Sequence, residues 1–112
     1  MTEITVDKLM ELYIDTLQKC DMQLLETNDD WIGYCIFEEF DIGAISFLHN
    51  NVLSRLKQAN LITENIAQKS SLLREKFMKL QNTELWNINS VKHSKEWKEI
   101  FELSEEIRLL LK

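Results

Sequence analysis

Asp29-Asp30-Trp31-Ile32-Gly33-Tyr34-Cys35-Ile36-Phe37-Glu38-Glu39-Phe40-Asp41 packs four aromatic, two aliphatic and five acidic side chains into thirteen residues. Trp31, Ile32, Cys35, Ile36 and Phe40 recur at helical steps, which makes one apolar stripe of an amphipathic helix. Glu38 and Glu39 fall on the opposite side, toward water. Asn28 or Asp29 is placed to cap the helix by accepting from its free N–H groups. The acids at the C-terminal end oppose the helix dipole, and a local rule broken without local gain points to function or to a basic residue brought in from elsewhere. Tyr34 and Phe37 lie off the strict stripe. Aromatics exposed beside carboxylates are what a protein-binding hot spot requires, although a wider buried face explains them equally well. Asp41-Ile42-Gly43 is predicted to end or bend this helix, with Asp41 free to cap the next.

The flanks repeat the helical period. Val6, Leu9, Met10, Tyr13, Leu17, Cys20 and Leu24 form one stripe, predicting a first helix over about Thr5 to Leu25, with Glu3 and Asp7 at its positive end. After Gly43, a third helix is expected with Ile45, Leu48, Val52 and Leu56 inside. Asn60 suits a helix end and Thr63 a new cap. The fourth helix, about Glu64 to Gln81, buries Ile66, Leu73, Phe77 and Leu80. Residues 82–94 are expected as a loop tacked down by Trp86, Ile88 and Val91, with room for one short turn. Ser94 caps a last helix to about Leu111, with Trp97, Ile100, Phe101, Ser104, Ile107 and Leu111 inward.

The totals agree. A chain of 112 residues with 45% hydrophobic side chains makes one domain with a real core. With no proline and two glycines it lacks the turn residues that a β-rich fold of this size spends. The expectation is an all-α fold, a single helical domain over residues 1–112 built as one compact bundle of about five helices.

The net charge is −6, and it is uneven: eleven carboxylates against two lysines give residues 1–50 a charge of −9, whereas residues 51–112 carry +3. Such a chain repels phosphate and anionic membrane and favours basic partners. Either the halves attract each other across the fold, or the acidic half offers a partner surface. Lys69, Arg74, Lys76, Lys79, Lys92, Lys95 and Lys98 give a local cationic hint, but Glu75, Glu96 and Glu99 interleave with them, and nucleic-acid binding is not expected. No apolar run reaches the roughly 20 residues of a spanning helix, and Met1-Thr2-Glu3-Ile4 opens without a signal-like pattern, so a cytoplasmic soluble protein without membrane contact is expected.

Motifs for chemistry are absent. His49 and His93 stand far apart, and Cys20 and Cys35 make neither a CxxC pair nor a secreted disulfide scaffold, so no metal and no cofactor are expected. Adjacent Glu38 and Glu39 splay apart on a helix instead of converging as an acid/base pair. Two isolated glycines supply no oxyanion or phosphate-cradling turn, and no enzyme is expected.

Trp31, Phe37-Glu38-Glu39-Phe40-Asp41-Ile42-Gly43, Leu73-Arg74-Glu75-Lys76, Trp86 and Ser94-Lys95-Glu96-Trp97 together resemble small all-helical immunity proteins of contact-dependent growth inhibition and other polymorphic toxin systems of bacteria. The resemblance implies a cytoplasmic protein that binds and blocks the toxin domain of its own system. Many such toxins are basic nucleases, met by acidic immunity proteins at the phosphate site. No residue role carries over by position. From charge placement alone, the candidate partner-binding residues are Asp29, Asp30, Trp31, Tyr34, Phe37, Glu38, Glu39 and Asp41. The same face would also serve a helical adaptor or regulatory subunit with a non-toxin partner.

Overall fold

Caps and tight helix ends divide the chain. In a computed structural model, which describes residues 4–112, Thr5 caps α1 (Val6–Lys19), Asn28 caps α2 (residues 29–47) and His49 caps α3 (Asn50–Gln58). Thr63 caps α4 (Glu64–Leu80), Asn87 caps α5 (Ile88–His93) and Ser94 caps α6 (Lys95–Leu110). In each, a side-chain oxygen, or Nδ1 of His49, accepts from a backbone N–H that the first turn leaves free. No strand occurs among the described residues, and the fold is an all-α bundle. Glu3, read as an acid leading α1, lies outside the described residues.

Three expectations about the elements are corrected. The first helix stops at Lys19, and a short 3₁₀ turn, Met22–Glu26, follows, started by Asp21 accepting from the Gln23 amide. Residues 82–94 are not all loop, because Asn87 caps the short helix α5. The largest difference lies at Asp41-Ile42-Gly43, where no break occurs. Gly33, Tyr34, Phe40 and Asp41 all hold right-handed helical angles, so α2 is one rod: α-helical over Asp29–Gly33, π-helical over Tyr34–Phe40, and α-helical again over Asp41–Phe47. The break comes later, at Leu48 and His49.

α1 lies at the centre of the packing, with α2, α3 and α6 against it, while α4 packs along α6 and α3. Its buried residues Leu9, Tyr13 and Leu17 meet Ile36, Phe40, Leu73, Phe77, Ile100 and Ile107 in one core. Two buried hydroxyls tether it. Ser70 donates to the Ile66 carbonyl at 2.8 Å, which leaves Tyr13 as donor in the 2.6 Å bond between Tyr13 and Ser70. Ser104 donates to the Leu17 carbonyl at 3.0 Å. Burial without such partners would cost about 1–3 kcal/mol per group. α3 ends in a Schellman turn, with Asn60 at φ 62° and the Leu61 amide donating to the Leu56 carbonyl at 3.0 Å.

Beneath α2, five aromatic rings form one cluster. Phe37 contacts Trp86 at 4.8 Å and Trp97 at 6.2 Å between centroids, and Phe77 meets Phe40, Trp86 and Trp97. Trp97 is fully buried, and its indole N–H donates to the Leu85 carbonyl at 2.7 Å. The cluster supports α2 from below and so positions its outer surface.

Candidate functional site

The partner-binding candidates all lie on α2. Asn28 starts the rod by accepting from the Trp31 amide at 2.8 Å, which sets the direction of the first turn. Trp31 is 49% exposed and Tyr34 42% exposed, and their rings stack with centroids 5.5 Å apart and planes 26° apart. Tyr34 donates its hydroxyl proton to the Glu39 carboxylate. That contact depends on the π segment: residues five apart diverge on an α-helix, and the wider π turn brings them together. Asp30 and Glu38 are exposed beside the stacked pair. Among the described residues, no lysine or arginine pairs with Asp30, Glu38 or Glu39.

The other three candidates turn elsewhere. Asp29 accepts from Lys92 of α5 at 2.7 Å. Asp41 accepts from Gln81 at 2.5 Å. Phe37 is half-buried and belongs to the aromatic cluster. The site therefore brings together Asp30, Trp31, Tyr34 and Glu38, with Glu39 at the edge, and separates Asp29, Phe37 and Asp41 from them.

Two residues join this face that the sequence reading placed otherwise. Ile42 is 61% exposed and Ile45, expected inside a third helix, is 45% exposed. Ala44 fills the core in place of Ile45, and Leu48 is buried as expected. The signal was the same three- and four-residue step that begins at Trp31, and it carries on only if the helix does not stop at Gly43.

Charge complementarity across the fold accounts for part of the asymmetry. Arg108 pairs with Asp21 at 3.1 Å and Lys92 with Asp29 at 2.7 Å, so two acids of the N-terminal half are met by cations of the C-terminal half. The cations of α4 are also engaged: Lys69 with Glu106, Lys76 with Glu99, Lys79 with Glu75, and Arg74 donating to the Ala44 carbonyl. Exposed pairs of this kind contribute about 0–1 kcal/mol each. They matter here because they engage the cations of α4, and among the described residues Asp30 and Glu38 take part in none of the ion pairs.

Cys20 and Cys35 are buried and unpaired, and burial pushes both thiols up. His49 is occupied as a cap. No group of three or more His, Cys, Asp or Glu side chains gathers at metal-binding distance among the described residues. No helix among them is long and apolar enough to cross a membrane. Comparison with family models, with curated proteins and with solved structures returns no match.

Tyr34 gives the face a titration signature. The hydrogen bond to Glu39, reinforced by that carboxylate's charge, holds the phenol above its ordinary value of 10, because ionisation would leave two anions in contact. Burial pushes the other tyrosine, Tyr13, up to about 12. A raised phenol pKa means that the folded state keeps its proton longer. The Tyr34–Glu39 contact is then fully present below pH 10 and is lost as pH rises through the folded value. Absorbance titration should show neither phenol ionising at the ordinary value. Glu39→Gln should bring Tyr34 down toward it and leave Tyr13 unmoved. An unshifted curve in that variant would show that the contact is not formed in solution.

Proposed function

We propose that the protein neutralises a basic protein partner, the toxin domain of a bacterial contact-dependent inhibition or related polymorphic toxin system, and that it does so in the cytoplasm. One observation supports this above the others: a stacked, half-exposed Trp31–Tyr34 pair stands beside carboxylates, Asp30 and Glu38, that no lysine or arginine among the described residues pairs with. Tryptophan and tyrosine supply rigid apolar contact area, and the charges steer a cationic surface toward it. Against a basic nuclease, such a face would take the place of substrate phosphate. The proposed action is occupation of the partner's site, with binding in place of chemistry.

Co-expression with the protein encoded immediately upstream, followed by co-purification, tests the reading. The complex should survive purification and lose the partner's toxic activity. Reversing Asp30 and Glu38 to lysine should weaken it by about 10- to 100-fold, mainly through slower association, and added salt should slow association of the native chain in the same direction. Both positions are exposed, so the variant should keep the native circular dichroism spectrum and melting point. Native affinity in that folded variant would remove the assignment of this face. Capture of a non-toxin partner would move the chain to the adaptor class.

A further inference from the structure

We infer that the exposed line Trp31–Tyr34–Glu38–Ile42–Ile45 seats an amphipathic helix of a partner protein, one that carries a single Lys or Arg at the middle of an apolar face. This deepens the functional reading above and rests on it, since it specifies what part of a basic partner lies on α2 and how.

A surface helix normally turns polar residues outward. α2 does not. From residue 31 to residue 45 the exposed positions are 31, 34, 38, 42 and 45, and four of the five are large and apolar. The opposite side of the same rod supplies Ile32, Ile36, Phe40 and Ala44 to the core. The helix is thus apolar on both sides over this length, which is the pattern of a helix covered on both sides. At about 1.5 Å per residue the line runs roughly 21 Å, the length of four helical turns.

The shape of the face selects the occupant. The rod has no open sheet edge, so an extended peptide gains no backbone ladder there. Its contacts step by three and four residues, which the side-chain ridges of a second helix match at 8–10 Å between axes. Charge selects further. Glu38 lies at the centre of the line, with two apolar residues on each side, and among the described residues no lysine or arginine pairs with it. Covering it without a partner charge would strand a carboxylate, at a cost well above what the flanking contacts return. A second copy of the chain packed two-fold on this line would place Glu38 against Glu38, and an anionic lipid surface would meet the same repulsion. A Lys or Arg at the centre, with apolar residues four and seven positions to either side, answers both the spacing and the charge.

The test uses two synthetic 18-residue helical peptides with leucine at those four flanking positions, one with arginine and one with glutamate at the centre, titrated into the isotope-labelled full chain and followed by amide and indole NMR shifts. The arginine peptide should move the Trp31 indole and the amides around 42–45, and should bind at least about tenfold tighter than the glutamate peptide. Glu38→Lys should invert that preference. Ile42→Lys with Ile45→Lys should abolish binding while leaving the melting point in place. Equal binding of the two peptides, shifts confined to another face, or no shifts at millimolar peptide would overturn the inference. So would a native chain that sediments as a dimer and is dispersed by Ile45→Lys, since that gives the line to a second copy. If the upstream-encoded protein co-purifies undiminished with the Ile42→Lys, Ile45→Lys chain, the docking line falls and the functional reading stands. If the arginine peptide binds as described and no upstream partner is captured, the reverse holds.

Discussion

Trp97→Ala should cost about 3–5 kcal/mol of folding stability, the range for truncating a fully buried aromatic. A domain of this length holds roughly 5–15 kcal/mol in total, so the variant should sit near the edge of folding at room temperature. Two losses add. The indole is fully buried and touches Phe37, Phe77 and Trp86 at centroid distances of 6.2, 5.8 and 5.8 Å, so its removal leaves a cavity lined by rings. Its N–H also holds the Leu85 carbonyl at 2.7 Å and so ties residues 81–87 to α6. Trp97→Phe separates the terms: most of the ring area stays and the hydrogen bond goes, for about 1–2 kcal/mol. Urea unfolding followed by circular dichroism checks both. A Trp97→Ala midpoint close to that of the native chain would refute the cluster as the main support of α2. The effect should reach the outer face as well, because Phe37 rests on Trp97 and belongs to the π segment that joins Tyr34 to Glu39.

Much of this fold was legible because its signals are local. Asn28, Thr63 and Ser94 cap helices as their types and positions predict, and Asn60 takes the left-handed angle that ends α3. The stripes of α4 and α6 predicted Ile66, Leu73, Phe77, Trp97, Ile100 and Ile107 as core, and all are buried. What failed depends on contacts distant in sequence. Gly43 reads as a helix stop, yet it is present to let α1 approach, a reason that lives on Thr16. That single error cut α2 short, placed Ile45 inside and hid the apolar line. The charge asymmetry was equally plain in the sequence, but which carboxylates stay free was not. Asp29 and Asp30 are neighbours of the same type, and only the fold brings Lys92 to the first of them.

Gly43→Val should cost about 3 kcal/mol, at the upper end of what overpacking does. Gly43 is buried at the crossing of α2 on α1, and an added Cβ would lie 2.6 Å from Cγ2 and 2.9 Å from Cβ of Thr16, distances at which something must move. The glycine is not there for its backbone freedom, since it sits within a regular helical stretch. Helix propensity by itself would favour alanine by about 1 kcal/mol. Gly43→Ala therefore sets that gain against the clash and should end about 1–2 kcal/mol below the native chain, with valine falling further as its methyls enter the same space. The partner residue supplies the control. Thr16 donates its hydroxyl to the Leu12 carbonyl of its own helix at 2.8 Å, a bond that Thr16→Ala gives up cheaply. Thr16→Ala combined with Gly43→Ala removes Oγ1 and Cγ2 from the clash and should recover about 1–2 kcal/mol relative to Gly43→Ala alone, a coupling that thermal melts of the four-variant cycle would measure. Additive melts would mean that α1 and α2 do not meet through this pair. Because Ile42 and Ile45 ride on the same rod as Gly43, a displaced α2 carries its outer line with it. Affinity for the arginine-centred peptide should accordingly change little in Gly43→Ala while stability falls, which separates the residue that seats the helix from the residues that face the partner.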